Sequence, residues 1–215
     1  MTVKSGGVEQ TISKRTSDEV CVMTDQVKTG VSEAELMRPE NEWAEVIDGQ
    51  LVETDTDMMG LLHTIVIDNL ILVLKPFAKK HKLGLVHTDG VKYVLHVDEN
   101  GIQIAFKPDL GFLRTGRIPP DFDLYRSPFP GAPNLAVEVV SPGQTTTDVL
   151  DKVTDYLKYR TEEVWVIYPI KRELHRYRRG EEPPQIYTDS QSLQTEALFP
   201  GLNLQVADLF VVDEN

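Results

Sequence analysis

One cysteine, Cys21, in 215 residues excludes an intrachain disulfide framework and a cysteine-rich zinc site. It suits a reducing cytoplasm, the location we expect. Long apolar runs are missing as well: none approaches the 18 residues of a membrane span, and the opening MTVKSGGVEQ lacks a signal peptide's apolar stretch. The expectation is a soluble, cytoplasmic protein with no membrane partner. The five histidines show no paired zinc-ligand spacing, and there is neither a glycine-rich phosphate loop nor a nucleophile elbow. Internal repeats and low-complexity tracts are absent too.

Basic residues are scarce, 22 Lys and Arg against 34 Asp and Glu, for a net charge of −12. That argues against non-specific nucleic-acid binding through the whole surface. The excess is terminal, however. Residues 1 to 57 carry 5 basic and 13 acidic side chains and residues 181 to 215 carry none and 7, whereas residues 58 to 147 carry 9 and 8. A local phosphate-binding face in the middle of the chain remains compatible with this balance.

What is present is hydrophobic content of 40%, sufficient for one sizeable core. Residues 1–30 are polar and aperiodic and are expected to form a flexible arm before a single domain over 31–215. Ser32 and Glu35 have capping-box spacing for a short helix that Pro39 ends. AEVI-DG-QLVE carries the Asp-Gly signal of a tight hairpin, with Glu45 on its first strand. Met58 to Leu74 has helical spacing, with Pro76 expected to kink or end the helix. Strands are expected at Leu85 to Thr88, Lys92 to Val97 and Ile102 to Phe106, and Asp109 to Leu113 leads into a loop from Arg114 to Pro133.

Leu135 to Val140 and Val164 to Tyr168 are apolar runs of strand length, as central strands covered on both faces require. Between them, Thr145 to Arg160 reads as a helix, so the three segments predict a parallel unit. Leu174 to Arg179 is expected to pair on as an outer strand, with Leu198 to Phe210 packed as a tail. The acidic pair Glu162-Glu163 is expected to be solvated. The run Lys171-Arg172 with Arg176, Arg178 and Arg179 is either a phosphate-facing edge or a charged strand that guards against aggregation.

Three residues around the parallel unit suggest chemistry. Glu138 interrupts an apolar run, where a carboxylate is costly unless a cation, metal or hydrogen bond compensates it. Asp109 follows Pro108 at the end of another run. On the helical wheel, with Val149 at zero, Val153 falls at about 40°, Tyr156 at about 340° and Lys152 at about 300°. Lys152 therefore borders the buried stripe and can reach toward Glu138, unless its stem merely covers apolar surface. Two carboxylates can hold a hard divalent cation such as magnesium, with water in the remaining positions.

EVIDGQLVE, KPDLGFL, LAVEVVSPGQTTTDVLDKVTDYLKY, VWVIYP and the tail PGLNLQVADLF together resemble the Uma2 family of endonucleases, of the restriction-endonuclease-like PD-(D/E)XK superfamily. The resemblance implies an α/β fold with a mixed central sheet flanked by helices, and metal-dependent hydrolysis of DNA. Pro108-Asp109 matches the PD element and Glu138 the acidic residue of (D/E)XK. Val140 occupies the lysine position, and Lys152 on the following helix matches the lysine moved there. The implied metal ligands are Asp109 and Glu138, with Mg2+, or Mn2+ in its place; Glu45 would add a ligand or hold a water. His63 matches a position often polar in the family, and we read it as a histidine at a helix edge near the cleft. The resemblance further suggests a homodimer. The competing readings are a catalytically weak nucleic-acid-binding or protein-interaction module on the same fold, and a hydrolase of another phosphoester.

Overall fold

The Asp-Gly hairpin shows local sequence setting local structure in this computed structural model, which describes residues 30–53, 60–88, 90–125 and 128–212. Asp48 and Gly49 have φ of 49° and 75°, both in the left-handed region that a two-residue turn needs. They join β1 (Ala44–Ile47) to β2 (Gln50–Glu53), with Ile47 opposite Gln50. Before them, Ser32 caps the short α1 (Glu33–Leu36) by accepting the Glu35 N–H. Residues 1–29 of the expected N-terminal arm, with Cys21 among them, and Met58 and Met59 lie outside the described residues.

The long helix α2 runs over Leu61–Lys80, so Pro76 does not end it. Pro76 and Leu72, one turn earlier, are both exposed, and water can serve the carbonyl that the proline ring leaves unbonded. By length and composition α2 could cross a membrane. Its Val66, Leu70, Leu74 and Ala78 are built into the core, while Leu61 and Leu72 face outward.

Then follow β3 (Gly84–Thr88), β4 (Tyr93–Asp98), β5 (Gly101–Phe106) and β6 (Leu110–Arg114). The segment expected to be a loop contains β7 (Phe129–Pro130), anchored because Phe129 is buried against Tyr93 and Phe122. The remaining elements are β8 (Leu135–Val139), α3 (Thr146–Lys158), β9 (Glu163–Tyr168), β10 (Glu173–Arg178), β11 (Glu181–Thr188), β12 (Ser192–Gln194), β13 (Asn203–Gln205) and a 3-10 turn over Val206–Phe210. As expected, β8 and β9 are parallel and joined by α3, which a Thr145–Asp148 capping box starts.

The fold is mixed α/β, but the strands divide between two sheets and a small ribbon. One sheet has the order β2-β1-β5-β4-β7, the other β11-β10-β9-β8-β6-β3, and β12 pairs with β13. Pro108 helps make the division, because it supplies no N–H to extend the β5 ladder, and the chain crosses to the second sheet through Lys107-Pro108-Asp109. Alternation along β8 then sorts its side chains. Leu135, Val137 and Val139 join the cluster under α2, whereas Ala136 joins the cluster beneath α3. Glu138 shares the Ala136 parity and faces the α3 side.

Three expectations need correction. β10 is not the outer strand, since β11 pairs along its far edge. Glu163 is not solvated: it is 1% exposed and accepts hydrogen bonds from Arg176, Trp165 and Thr195. The basic run is not a phosphate-facing edge either, because Arg176 is buried against Glu163, Arg178 pairs with Glu181 and Arg172 with Asp189. Arg176 and Arg178, two apart on β10, share one sheet face, and Arg178 also lies 3.8 Å from Glu163.

Candidate active site

Each site residue is placed by a different element. Asp109 lies on the crossing between the sheets. The β6–β8 ladder begins at Leu110 opposite Val137, so the Val139 N–H beyond it has no β6 partner. Asp109 Oδ2 accepts that N–H at 2.7 Å, which fixes the carboxylate against the strand carrying Glu138. Glu45 is buried on β1, where Oε1 accepts the backbone N–H of Lys107 at 3.1 Å. Lys152 reaches across from the second turn of α3 to Glu45, with Nζ 2.9 Å from Oε1 and 2.7 Å from Oε2.

Glu138 completes the group. Its Oε2 is 3.8 Å from Lys152 Nζ, and its Oε1 accepts a hydrogen bond from the Tyr156 hydroxyl at 2.8 Å. The structure thus gathers Glu45, Asp109, Glu138 and Lys152 around one point where the two sheets meet. His63 is there too: its Nε2 lies 3.4 Å from Asp109 Oδ2. A cleft of about 450 Å³ opens on Glu45, Phe106 and Lys152 and continues past Ser141, Gln144 and Asp148.

Burial pushes the Glu138 carboxyl up to about 8; the Lys152 charge opposes the rise, and the negative charges of Asp109 and Glu45 add to it. Burial also works against charge on Lys152, but Glu138 and Glu45 outweigh it and hold the ammonium above its ordinary range. Lys152 is therefore a cation and hydrogen-bond donor at neutral pH, not a base. The hydroxyl of Tyr156 is raised well above its usual value by burial and by Glu138, so it stays protonated and donates.

Among the described residues, no group of three or more His, Cys, Asp or Glu side chains is arranged to hold a metal ion. Both Glu45 oxygens face Lys152, which leaves Asp109 and Glu138 as the other carboxyl groups of the cluster. The donor chemistry fits a hard divalent cation with a mainly water-filled shell, because three carboxyl groups surround a single lysine and the Glu138 carboxyl is buried without full compensation. The sequence reading did not find Tyr156 as the partner of Glu138, although the wheel puts it one step round from Lys152. Its place in the apolar stripe masked that role. For His63 the visible signal was a polar side chain on an otherwise apolar helix stripe.

No curated protein matches the chain. Among solved structures, "a putative nuclease belonging to DUF820 from Anabaena variabilis ATCC 29413" superposes with a TM-score of 0.68 at 21% identity, covering 84% of this chain and 97% of that one. That match shows a shared restriction-endonuclease-like fold. The family described as "Uma2: Putative restriction endonuclease" matches residues 32–207, a span that includes Glu45, His63, Asp109, Glu138 and Lys152, and the chain belongs to that family.

Proposed function

We propose that this protein is an endonuclease that hydrolyses DNA phosphodiester bonds with Mg2+, or Mn2+ in its place, held by Asp109 and Glu138. The observation that carries the reading is the gathering of these two carboxyl groups with Lys152 and Glu45, the last two of which line an open cleft. A divalent cation bound there would lower the pKa of a coordinated water and neutralise charge on a phosphoryl oxygen.

The chain's own residues do the rest. Asp109 is held to β8 by the Val139 N–H, and Glu138 is held by Tyr156, so both ligands are oriented before substrate arrives. Glu45 clamps the Lys152 side chain against the cleft. From that position the ammonium donates to the attacking water and offsets negative charge as it develops on the phosphate.

Purified protein incubated with supercoiled plasmid tests the proposal. Nicking is expected with Mg2+ or Mn2+, is abolished by chelator, and falls by about 100-fold or more in Asp109→Ala and in Lys152→Ala, the loss typical of removing a group that stabilises the transition state. Cutting that survives both substitutions, or no cutting with any metal, overturns the assignment.

A further inference from the structure

A second recess lies beside the catalytic cluster, on the first sheet's side of the crossing. It measures about 250 Å³, and Trp43, Lys92, Lys107, Arg38, Met37 and Glu42 contribute to its wall. Arg38 and Lys107 are the cations of that wall that are not buried, set against Glu42, on a chain whose net charge is −12. Trp43 is 41% exposed, and the Lys107 ammonium lies 3.5 Å from its ring centroid. Lys92 is buried and donates to the carbonyls of Leu36 and Asn41, so the recess is fixed in shape by the segment between α1 and β1.

The recess and the catalytic cluster are joined by two short pieces of chain. Trp43 precedes Glu45 by two residues, and Lys107 precedes Asp109 by two; the Cα atoms in each pair are at most about 7 Å apart. The Lys107 N–H also donates to Glu45 Oε1, so the pieces are tied to each other. A half-exposed indole with the Lys107 ammonium on its ring, two residues from the carboxylates of the cluster, has the chemistry of a platform for one base and its phosphate.

We infer that the Trp43–Lys107 recess binds an unpaired nucleobase and its adjoining phosphate, so that the substrate is a nucleic acid strand with unpaired bases at the site of cleavage. This rests on the nuclease reading above and deepens it. The recess has room for a base but not for a duplex, and its few cations suit a single phosphate better than the extended backbone footprint of double-stranded DNA.

The full chain in chelator, where no cleavage interferes, is titrated against a dye-labelled twelve-residue oligothymidylate and a twelve-base-pair duplex by fluorescence anisotropy. The single strand is expected to bind more tightly. Trp43→Ala weakens that binding about tenfold, whereas Trp43→Phe keeps most of it, as stacking predicts. Lys107→Gln lowers the slope of log affinity against log salt by about 0.7, one phosphate contact. Folding of each variant is checked by circular dichroism. Equal binding by folded Trp43→Ala, a preference for duplex, or no binding by any of the proteins overturns the inference. Plasmid nicking that persists while Trp43 has no effect on single-strand binding overturns the recess alone. Trp43-dependent binding without cleavage of either the plasmid or the single strand under any metal supports the recess and overturns the nuclease.

Discussion

Burial between apolar neighbours raises a carboxyl group's affinity for its proton, and Glu138 follows that rule even with Lys152 beside it. The consequence for stability has a definite sign. The carboxyl binds its proton more tightly in the folded protein, at about 8, than in the unfolded chain, at 4.5. Its stabilising contribution is therefore complete below pH 4.5 and is lost as pH rises to about 8. In chelator, the thermal midpoint is expected to fall across that window, and Glu138→Gln to flatten the fall; a variant with the same slope as the wild type would exclude Glu138 as its source. At this scale the sequence was informative, because a Glu inside Leu135 to Val140 and a Lys bordering an apolar helix stripe are both violations of pattern. Tyr156 violates nothing. A tyrosine in an apolar stripe is ordinary packing, and only coordinates reveal what its hydroxyl bonds.

Among elements, local signals served where the cause was local. The Asp-Gly hairpin, the Thr145 cap and the parallel β8–α3–β9 unit depend on turn chemistry, capping and periodicity, all written within a few residues. Pairing between distant strands is written nowhere locally, and so the division into two sheets and the addition of β11 outside β10 were not legible. Partner choice among charges follows from that pairing. Arg176 and Glu163 read as surface charges, yet β9 and β10 bring them together with Trp165 and Thr195 completing the shell of the carboxylate. Removing one partner strands a buried charge, so Arg176→Ala is expected to cost about 3–5 kcal/mol of folding stability, measured by denaturant unfolding. A loss below about 1 kcal/mol would mean that water reaches Glu163 and replaces the guanidinium.

For the whole molecule, the charge balance limits how the proposed nucleic-acid substrate can be held. Acidic residues outnumber basic ones by 12, and Arg176 and Arg178 of β10 are engaged with carboxylates, which limits the backbone contacts that the proposed substrate can find. Affinity for nucleic acid is accordingly expected to fall by less than about 100-fold between 50 and 200 mM salt, where a protein with six or more phosphate contacts loses about 10³-fold or more. Anisotropy titrations at the two salt concentrations measure this directly, and a larger fall would point to an extended basic footprint such as the exposed lysines at the end of α2. The charge asymmetry was legible from composition alone; which cations remained available was not, because that depended on which of them the fold had already paired.

Glu45 and Lys152 are separated by 107 positions in the chain, and Asp109 sits on the only piece of backbone between β5 and β6. A polypeptide emerging from the ribosome therefore exposes Glu45 first, then Asp109, and has no lysine to set against them until α3 has been made and has docked. The cluster cannot be assembled by any fragment that stops short of that helix, so the Glu45–Lys152 pair closes only when the chain from β1 to α3 has all been made.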